Sequence, residues 1–416
     1  MRRLEIALLS VAALAVSILL AFWPHEVQDY TRDAGPALHP FVNGDFNAAF
    51  AHQPAMGWFS ILLRAPFAFF ARHHHGLLLE YRLGAIPCVF AAAALGVWLT
   101  LRARNRGASA AAGAAILALT VAGPMAWHAL ADGHPEELLG GALCVLAVLL
   151  AARNRNPIAT GLTLGLALAT KQWAVLAIGP VLLAAPSHRP RLAATALATA
   201  GALTLLPIAA GGHHILSPAS SVSPAGVAIQ PASIWWPLGH AIHVPASGFT
   251  VEVHTLPQWL ANLTHPLIVA LGVLLPLALA GLARRTSTDL PTALALLALL
   301  FLLRCVLDPM TIGYYHLPLM LALVAYEAHS RRGMPVLTLL SSAVLLFLVT
   351  KLQWGLEPAK VAAIYLAWAL PVAAYLAARV YAPTVISSLG KWLSTSLPAS
   401  VTTARSSIRT PNAPGT

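Results

Sequence analysis

Long apolar runs follow one another along most of this chain, at about residues 6–22, 77–101, 109–128, 191–210, 260–283 and 361–379 among others. Each is near or beyond the ~20 residues that an α-helix, rising about 1.5 Å per residue, needs to cross ~30 Å of hydrocarbon. Inside a bilayer every backbone polar group must be satisfied within the protein, so runs of this length admit helices. A β-barrel would alternate polar and apolar positions, and these runs do not. Composition agrees: 58% of residues are hydrophobic, 9% are charged and mean hydropathy is +0.74, against about 25% charged in soluble domains. A water-soluble globule is excluded. The expected fold is all-α, a polytopic transmembrane bundle of about 11–13 spans filling residues 1–380, with no separate soluble domain left over.

The 25 Lys and Arg against 14 Asp and Glu give a net charge of +11, which in a soluble protein would point to nucleic acid. Here the basic residues occupy alternate short loops: Arg2/Arg3, Arg102/Arg104/Arg106, Arg153/Arg155, Arg189/Arg191, Arg284/Arg285 and Arg331/Arg332, continued by Arg379, Lys391, Arg405 and Arg409. That is the cytoplasmic excess of the positive-inside rule, so the charge is topological and implies no nucleic-acid partner. Both termini are expected inside and residues 23–76, 211–258 and 351–360 outside, in a multi-pass plasma-membrane protein. The first apolar run follows Arg2 and Arg3 as in a signal peptide, but ends in Phe22-Trp23-Pro24 without a small-residue cleavage site and reads as an uncleaved span. Cys88, Cys144 and Cys305 show neither CxxC nor Cys/His spacing, so neither a disulfide framework nor a zinc site is indicated. Residues 381–416, with Ser, Thr, Pro and scattered basic residues, read as a disordered cytoplasmic tail.

Two places depart from simple alternation of spans and loops. The first external loop holds a Trp/Phe-rich stretch, residues 56–70, interrupted by Arg64 and expected to form an interfacial helix. The apolar stretch 158–185 carries inside-type charge on both flanks, at Arg155 and Arg189, and is broken by Lys171-Gln172-Trp173. It therefore crosses an even number of times or re-enters; two helices of about 13 residues, each about 20 Å long, meeting near Lys171, satisfy this. On this map only Glu5, Asp289 and Glu327 fall on the inner side, while the remaining carboxylates gather outside with Arg32, Arg64, Lys171 and Arg304. Chemistry is expected at the outer face.

A central charge costs ~2.5–3.5 kcal/mol on insertion scales, so Lys171 needs a reason. It either snorkels to the interface, pairs with an outer carboxylate, or meets a phosphate. Gly161 and Gly165 before it, spaced as in close-packed helices, carry no chemistry alone. Asp45, in Asn43-Gly44-Asp45-Phe46, is either a loop turn or a carboxylate poised to accept a proton beside a lipid-level helix. Gly133-His134-Pro135-Glu136-Glu137 has plain helix-start chemistry, with His134 as a candidate donor to substrate. Arg304, Asp308, Tyr314, Tyr315 and His316 share one outer turn, where a guanidinium suits phosphate through its planar fork, or pairs with Asp308. His73-His74-His75 does not define a metal cage. The chain contains no phosphate-cradling glycine loop, nucleophile elbow or HExxH.

Together, Gly161 through Lys171-Gln172-Trp173 to Gly179-Pro180, the Gly133–Leu139 segment, and Asp308 to Pro318 with Tyr-Tyr-His-Leu-Pro resemble the GT-C superfamily of membrane glycosyltransferases. The likeness is greatest to the glycosyltransferase family 87 group, which uses polyprenyl-phosphate mannose, and it covers roughly residues 40–330. It implies transfer of one sugar, mannose-like, from a polyprenyl phosphate donor to a lipid or glycan acceptor at the outer face. It also implies Asp45 as catalytic base and Lys171 at the lipid phosphate, with Arg304, His134 and His316 stabilising charge there. Gln172, Trp173, Glu136, Asp308, Tyr314 and Tyr315 would line the substrate. No cofactor is implied; a divalent cation is compatible with the reaction but not required. Two rivals stand beside this reading. An O-antigen ligase or polymerase would want arginine in 211–258, which has none, and a secondary transporter would show related halves and mid-span carboxylates.

Overall fold

Proline, glycine and charge punctuate the helices. The computed structural model describes residues 2–26, 29–52, 54, 56–73, 76–211, 227–246, 249–283, 288–311, 313–330, 332–352 and 355–384. A long first helix, α1 (Arg2–Phe22), is followed by three short ones, α2 (Gly35–Val42), α3 (Phe46–Ala51) and α4 (Trp58–Ala68). Next come α5 (Leu77–Asn105), α6 (Ala110–Val121), α7 (Pro124–Ala131) and α8 (Glu136–Arg153). The broken segment supplies α9 (Pro157–Leu168) and α10 (Ile178–Ala184), and α11 (Arg189–Gly211) follows. After three strands come α12 (Gln258–Ala283), α13 (Leu290–Leu307), α14 (Leu317–Ser330), α15 (Val336–Phe347) and α16 (Pro358–Tyr381).

α13 and α14 form the centre of the bundle, buried along almost their whole length and packed against α8. α1 and α12 do the opposite. Leu8, Val11 and Leu14 on α1, and Leu263, Val273, Leu274 and Leu277 on α12, are exposed. Contiguous outward leucines on long helices are stabilised by lipid and not by water. Six helical stretches among the described residues combine the length and apolarity needed to cross a membrane: Leu4–Phe22, Leu77–Asn105, Ala110–Ala131, Gln258–Leu282, Leu290–Leu307 and Pro358–Tyr381. That is fewer than the 11–13 spans expected. α9, α10, α14 and α15 are short, and α8 carries charge at both ends.

The break in 158–185 falls where expected: α9 stops at Leu168, and a 3-10 turn over Gln172–Ala177 leads into α10. Gly161 and Gly165 lie against α11, where an added Cβ at either would come within 2.6 Å of Thr195 or Thr199. Their spacing is a close-packing device.

The all-α expectation needs one correction. Part of 211–258 is a three-stranded antiparallel sheet in the order β1 (Val227–Ala228), β3 (Phe249–Leu256), β2 (His240–Ala246). β2 and β3 form a hairpin with Ala246 opposite Phe249. The segment between β1 and β2 docks on the end of α13, with Trp235 Nε1 donating to the Leu307 carbonyl at 2.7 Å and Gln230 N to the Pro309 carbonyl at 3.1 Å. Residues 212–226 and the expected tail from 385 lie outside the described residues.

Arginine loops gather at one end of the bundle. Arg104 Nε lies 3.6 Å from Glu5, Arg106 donates to the His329 carbonyl, and Arg379 Nε donates to Tyr326 at 2.9 Å. The start of α1 and the end of α16 share this end, and most carboxylates occupy the other. Cys88, Cys144 and Cys305 are buried, so an introduced thiol is readable alone. In sealed vesicles, Asn47→Cys and Asn105→Cys should react with an impermeant maleimide from opposite sides; labelling from one side would contradict the two-ended arrangement.

Candidate functional site

The site is built on the first turn of α8. Pro135 precedes the helix, and Glu136 and Glu137 follow where carboxylates favour a helix N-terminus. Both side chains are buried, so the helix dipole alone cannot balance them and cations must be brought in. Lys171 Nζ lies 3.1 Å from Glu136 Oε1 and 3.3 Å from Glu137 Oε1. His134 Nδ1 lies 2.9 Å from Glu136 Oε1. From α4, the fully buried Arg64 places Nη1 3.6 Å from Glu136 Oε2 and its guanidinium over the Tyr30 ring. Trp173 Nε1 donates to Glu137 Oε1 at 3.3 Å. Two short first-loop carboxylates complete the cluster: Asp29 and Asp33 lie 3.4 Å and 3.7 Å from His134 Nε2.

Two glycines make the assembly possible. The end of α9 leaves the Ala169 and Thr170 carbonyls without helical partners, and the N–H groups of Phe59 and Gly57 at the start of α4 donate to them at 3.0 and 2.8 Å. A Cβ at Gly57 would lie 2.0 Å from the Ala169 oxygen, so only glycine allows this approach. Lys171 is thus fixed by a backbone splice to the helix that carries Arg64. Gly133, at φ +97°, turns the chain into His134, and a Cβ there would sit 2.8 Å from Tyr30 N.

A cavity of about 440 Å³ opens beside this cluster, lined by Asp33, His134, Glu137, Lys171, Gln172, Trp173, Arg304, Asp308, Tyr314 and Tyr315, with His265 and apolar residues of α12. Arg304 is buried, with its guanidinium carbon 5.2 Å from the Trp173 ring centre and 4.7 Å from that of Tyr315, and with Nη1 donating to the Tyr315 carbonyl at 3.3 Å. It makes no ion pair among the described residues. Tyr314 stacks on His134 at 4.5 Å. Asp308 accepts from Met310 N at 2.9 Å and has His265 3.9 Å away. A mainly apolar groove of about 370 Å³ between α10 and α12, with Arg189 in its lining, adjoins this cavity and shares Val175, Leu176 and Val269 with it.

The loop groups respond to their surroundings. Burial alone would lower the pKa of His134, but hydrogen bonds to Asp29 and Glu136 outweigh it and raise it to about 9. The hydrogen bond from His134 holds Asp29 below the usual carboxylate range, while burial raises Asp33 and pushes Asp132 up to about 6.

Most of the expected set meets here: Lys171, Gln172, Trp173, His134, Arg304, Asp308, Tyr314 and Tyr315 all face the cavity. Three do not. Asp45 caps α3, accepting from Ala48 N at 3.0 Å on an exposed turn outside the cavity, which is the local use its Gly-Asp-Phe context favours. His316 is buried away from it, with its ring nitrogens 2.9 Å from Tyr365 Oη and 3.1 Å from the Gly313 carbonyl. Glu136 lies beneath the cavity wall as the hub of the ion pairs. Asp33 lines the cavity instead of Asp45, and Arg64 and Glu137 join the cluster. The signal for Arg64 was an arginine inside an otherwise apolar helix. Among the described residues no group of three His, Cys, Asp or Glu is arranged to hold a metal ion.

Comparison with protein-family models, curated proteins and solved structures gives no match. The site therefore rests on its own geometry.

Removing the Lys171 charge would leave the buried Glu137 without an ion-pair partner among the described residues and Glu136 with only His134 and Arg64. Lys171→Met is expected to destabilise the protein by about 3–5 kcal/mol, and adding Glu137→Gln should recover part of the loss. Thermal unfolding in detergent checks this; additive losses in the double variant would contradict the pairing.

For His134 the folded pKa lies above the unfolded one, so its stabilisation is complete below about pH 6.5 and is lost as pH rises through about 9. Wild-type stability should fall between pH 7 and 9.5 more steeply than that of His134→Gln. Parallel slopes would refute this linkage.

Proposed function

We propose that this chain is a membrane glycosyltransferase that moves a sugar, mannose-like by its family resemblance, from a polyprenyl phosphate to a lipid or glycan acceptor at the outer face. One observation carries the reading. Arg304 is a buried guanidinium that touches aromatic rings and one carbonyl and is ion-paired to no carboxylate among the described residues, in a cavity that adjoins an apolar groove between α10 and α12. A desolvated cation of this kind is stabilised by an arriving anion. The adjoining groove suits the hydrocarbon chain of the same molecule, since the outer side of α12 already faces lipid. A phosphate with a long apolar tail meets both demands.

In the proposed step an acceptor hydroxyl attacks the anomeric carbon while the bond to the phosphate oxygen breaks. The electron pair goes to the phosphate, and the hydroxyl proton goes to a carboxylate. Arg304 stabilises the charge growing on the leaving phosphate. Lys171, already engaged by Glu136 and Glu137, fixes the wall beside it, and Trp173 and Tyr315 hold the guanidinium plane. Asp33 is the proposed base. Among the cavity carboxylates it has the fewest close contacts, because Glu137 serves Lys171 and Trp173 while Asp308 serves Met310 N. Burial raises its affinity for a proton, which suits a general base.

Proteoliposomes offered a panel of polyprenyl phosphate sugars should transfer one of them. Arg304→Gln should lower kcat/KM for the donor by about 10²-fold, and Asp33→Asn should lower kcat by about 10²-fold with donor binding kept. Asp45→Asn should stay within about twofold of wild type. No transfer from any donor, or a loss confined to Asp45→Asn, would overturn the assignment.

A further inference from the structure

The opposite end of α8 borders a second cavity, of about 620 Å³. With 18 residues in the helix, the two cavities are about 27 Å apart along its axis. This one is an open cavity lined by the ends of α5, α8, α10 and α14 and by the start of α13. Its cations are Arg102, Arg153 and Arg155, with His329 on the wall and Asp289 as its lone carboxylate.

These arginines differ from their neighbours. Arg104 is tied to Glu5 and to the Ala108 carbonyl, and Arg106 donates to the last carbonyls of α14. By contrast, Arg102, Arg153 and Arg155 have neither a carboxylate nor a hydrogen-bond acceptor among the described residues; Arg153 only lies over the Trp98 ring, 4.7 Å from its centre. The walls are fixed around them. Asn154, at φ +49°, exchanges two hydrogen bonds with Ser187, at 2.9 and 3.0 Å, which ties the loop after α8 to the loop after α10. Thr288 N donates to the Leu183 carbonyl at 2.9 Å and seats the start of α13 at the rim. Asp289 precedes that helix without capping it through its side chain, so the N-terminal end of α13, at Leu290, borders the cavity with three unpaired guanidinium groups. Fixed walls, a net positive lining and a helix N-terminus together fit a phosphate-class anion.

We propose that this cavity binds the phosphate of an anionic lipid headgroup at the arginine-rich end of the bundle. The lipid is favoured over a free phosphate because the cavity closes on the ends of membrane-crossing helices, at the depth where headgroups lie. This binding does not depend on glycosyl transfer.

The test uses the full chain in neutral detergent, titrated with dihexanoyl phosphatidylglycerol, dihexanoyl phosphatidylcholine or inorganic phosphate while Tm is followed. Phosphatidylglycerol should raise Tm saturably and phosphatidylcholine should not. Arg153→Gln/Arg155→Gln should weaken the apparent affinity at least tenfold. Arg102→Gln, which removes a third cation from the same cavity, gives an independent reading if the double variant folds poorly. A matching shift with inorganic phosphate would keep the anion site but overturn the lipid as its source. No shift with either anion, or a shift that survives in both variants, would overturn the site itself.

Discussion

Two adjacent buried carboxylates, Glu136 and Glu137, place the largest demand on this structure. Helix-start chemistry explains acids in the first turn of α8 but not their burial. Ionised groups withdrawn from water must be paired or they neutralise. The pairing draws a cation from three separate places: His134 from the preceding turn, Lys171 from the break after α9 and Arg64 from α4. Much of the irregular backbone near this end serves that convergence. α9 has to stop short for Lys171 to reach inward, and the carbonyls this frees are met by α4 through a glycine that admits no side chain.

Charge is thereby sorted within the cavity. Lys171 and Arg64 are committed to carboxylates, while Arg304 is held by aromatic faces and one carbonyl. A site in which every cation were paired would have little to offer an anion; one with no pairing would not fold. The apolar groove beside the cavity adds the second half of an amphiphile's outline. Catalysis of the proposed kind needs little beyond fixed positive charge and a proton acceptor, because the leaving group is already a phosphate.

The sequence made the membrane character legible, because apolar runs near twenty residues allow few other folds. It also made legible the break at Lys171 and the grouping of His134, Lys171, Trp173, Arg304 and Tyr314. Each is a polar or charged group in a setting that demands a partner. What it hid were partners distant in the chain. Arg64 sits about a hundred residues before Lys171 and read as an interruption of an interfacial helix, not as a counterion. Asp45 looked better than Asp33 because its Gly-Asp-Phe turn is locally distinctive. That same turn gives Asp45 a capping role and holds it on the outside. The sheet was missed because the hydropathy that announces spans says little about a polar loop. Its signal was a Ser247-Gly248 pair between segments rich in Val, Ile and Thr.

In the proposed reaction a lipid-linked phosphate meets Arg304 with its chain in the groove between α10 and α12. Photo-crosslinking with a polyprenyl phosphate that carries a diazirine early in its chain tests it most directly. Adducts are expected on Leu176, Val269 or Val273, suppressed by unlabelled polyprenyl phosphate and reduced in Arg304→Gln. Adducts concentrated outside that groove, or unchanged by Arg304→Gln, would contradict it.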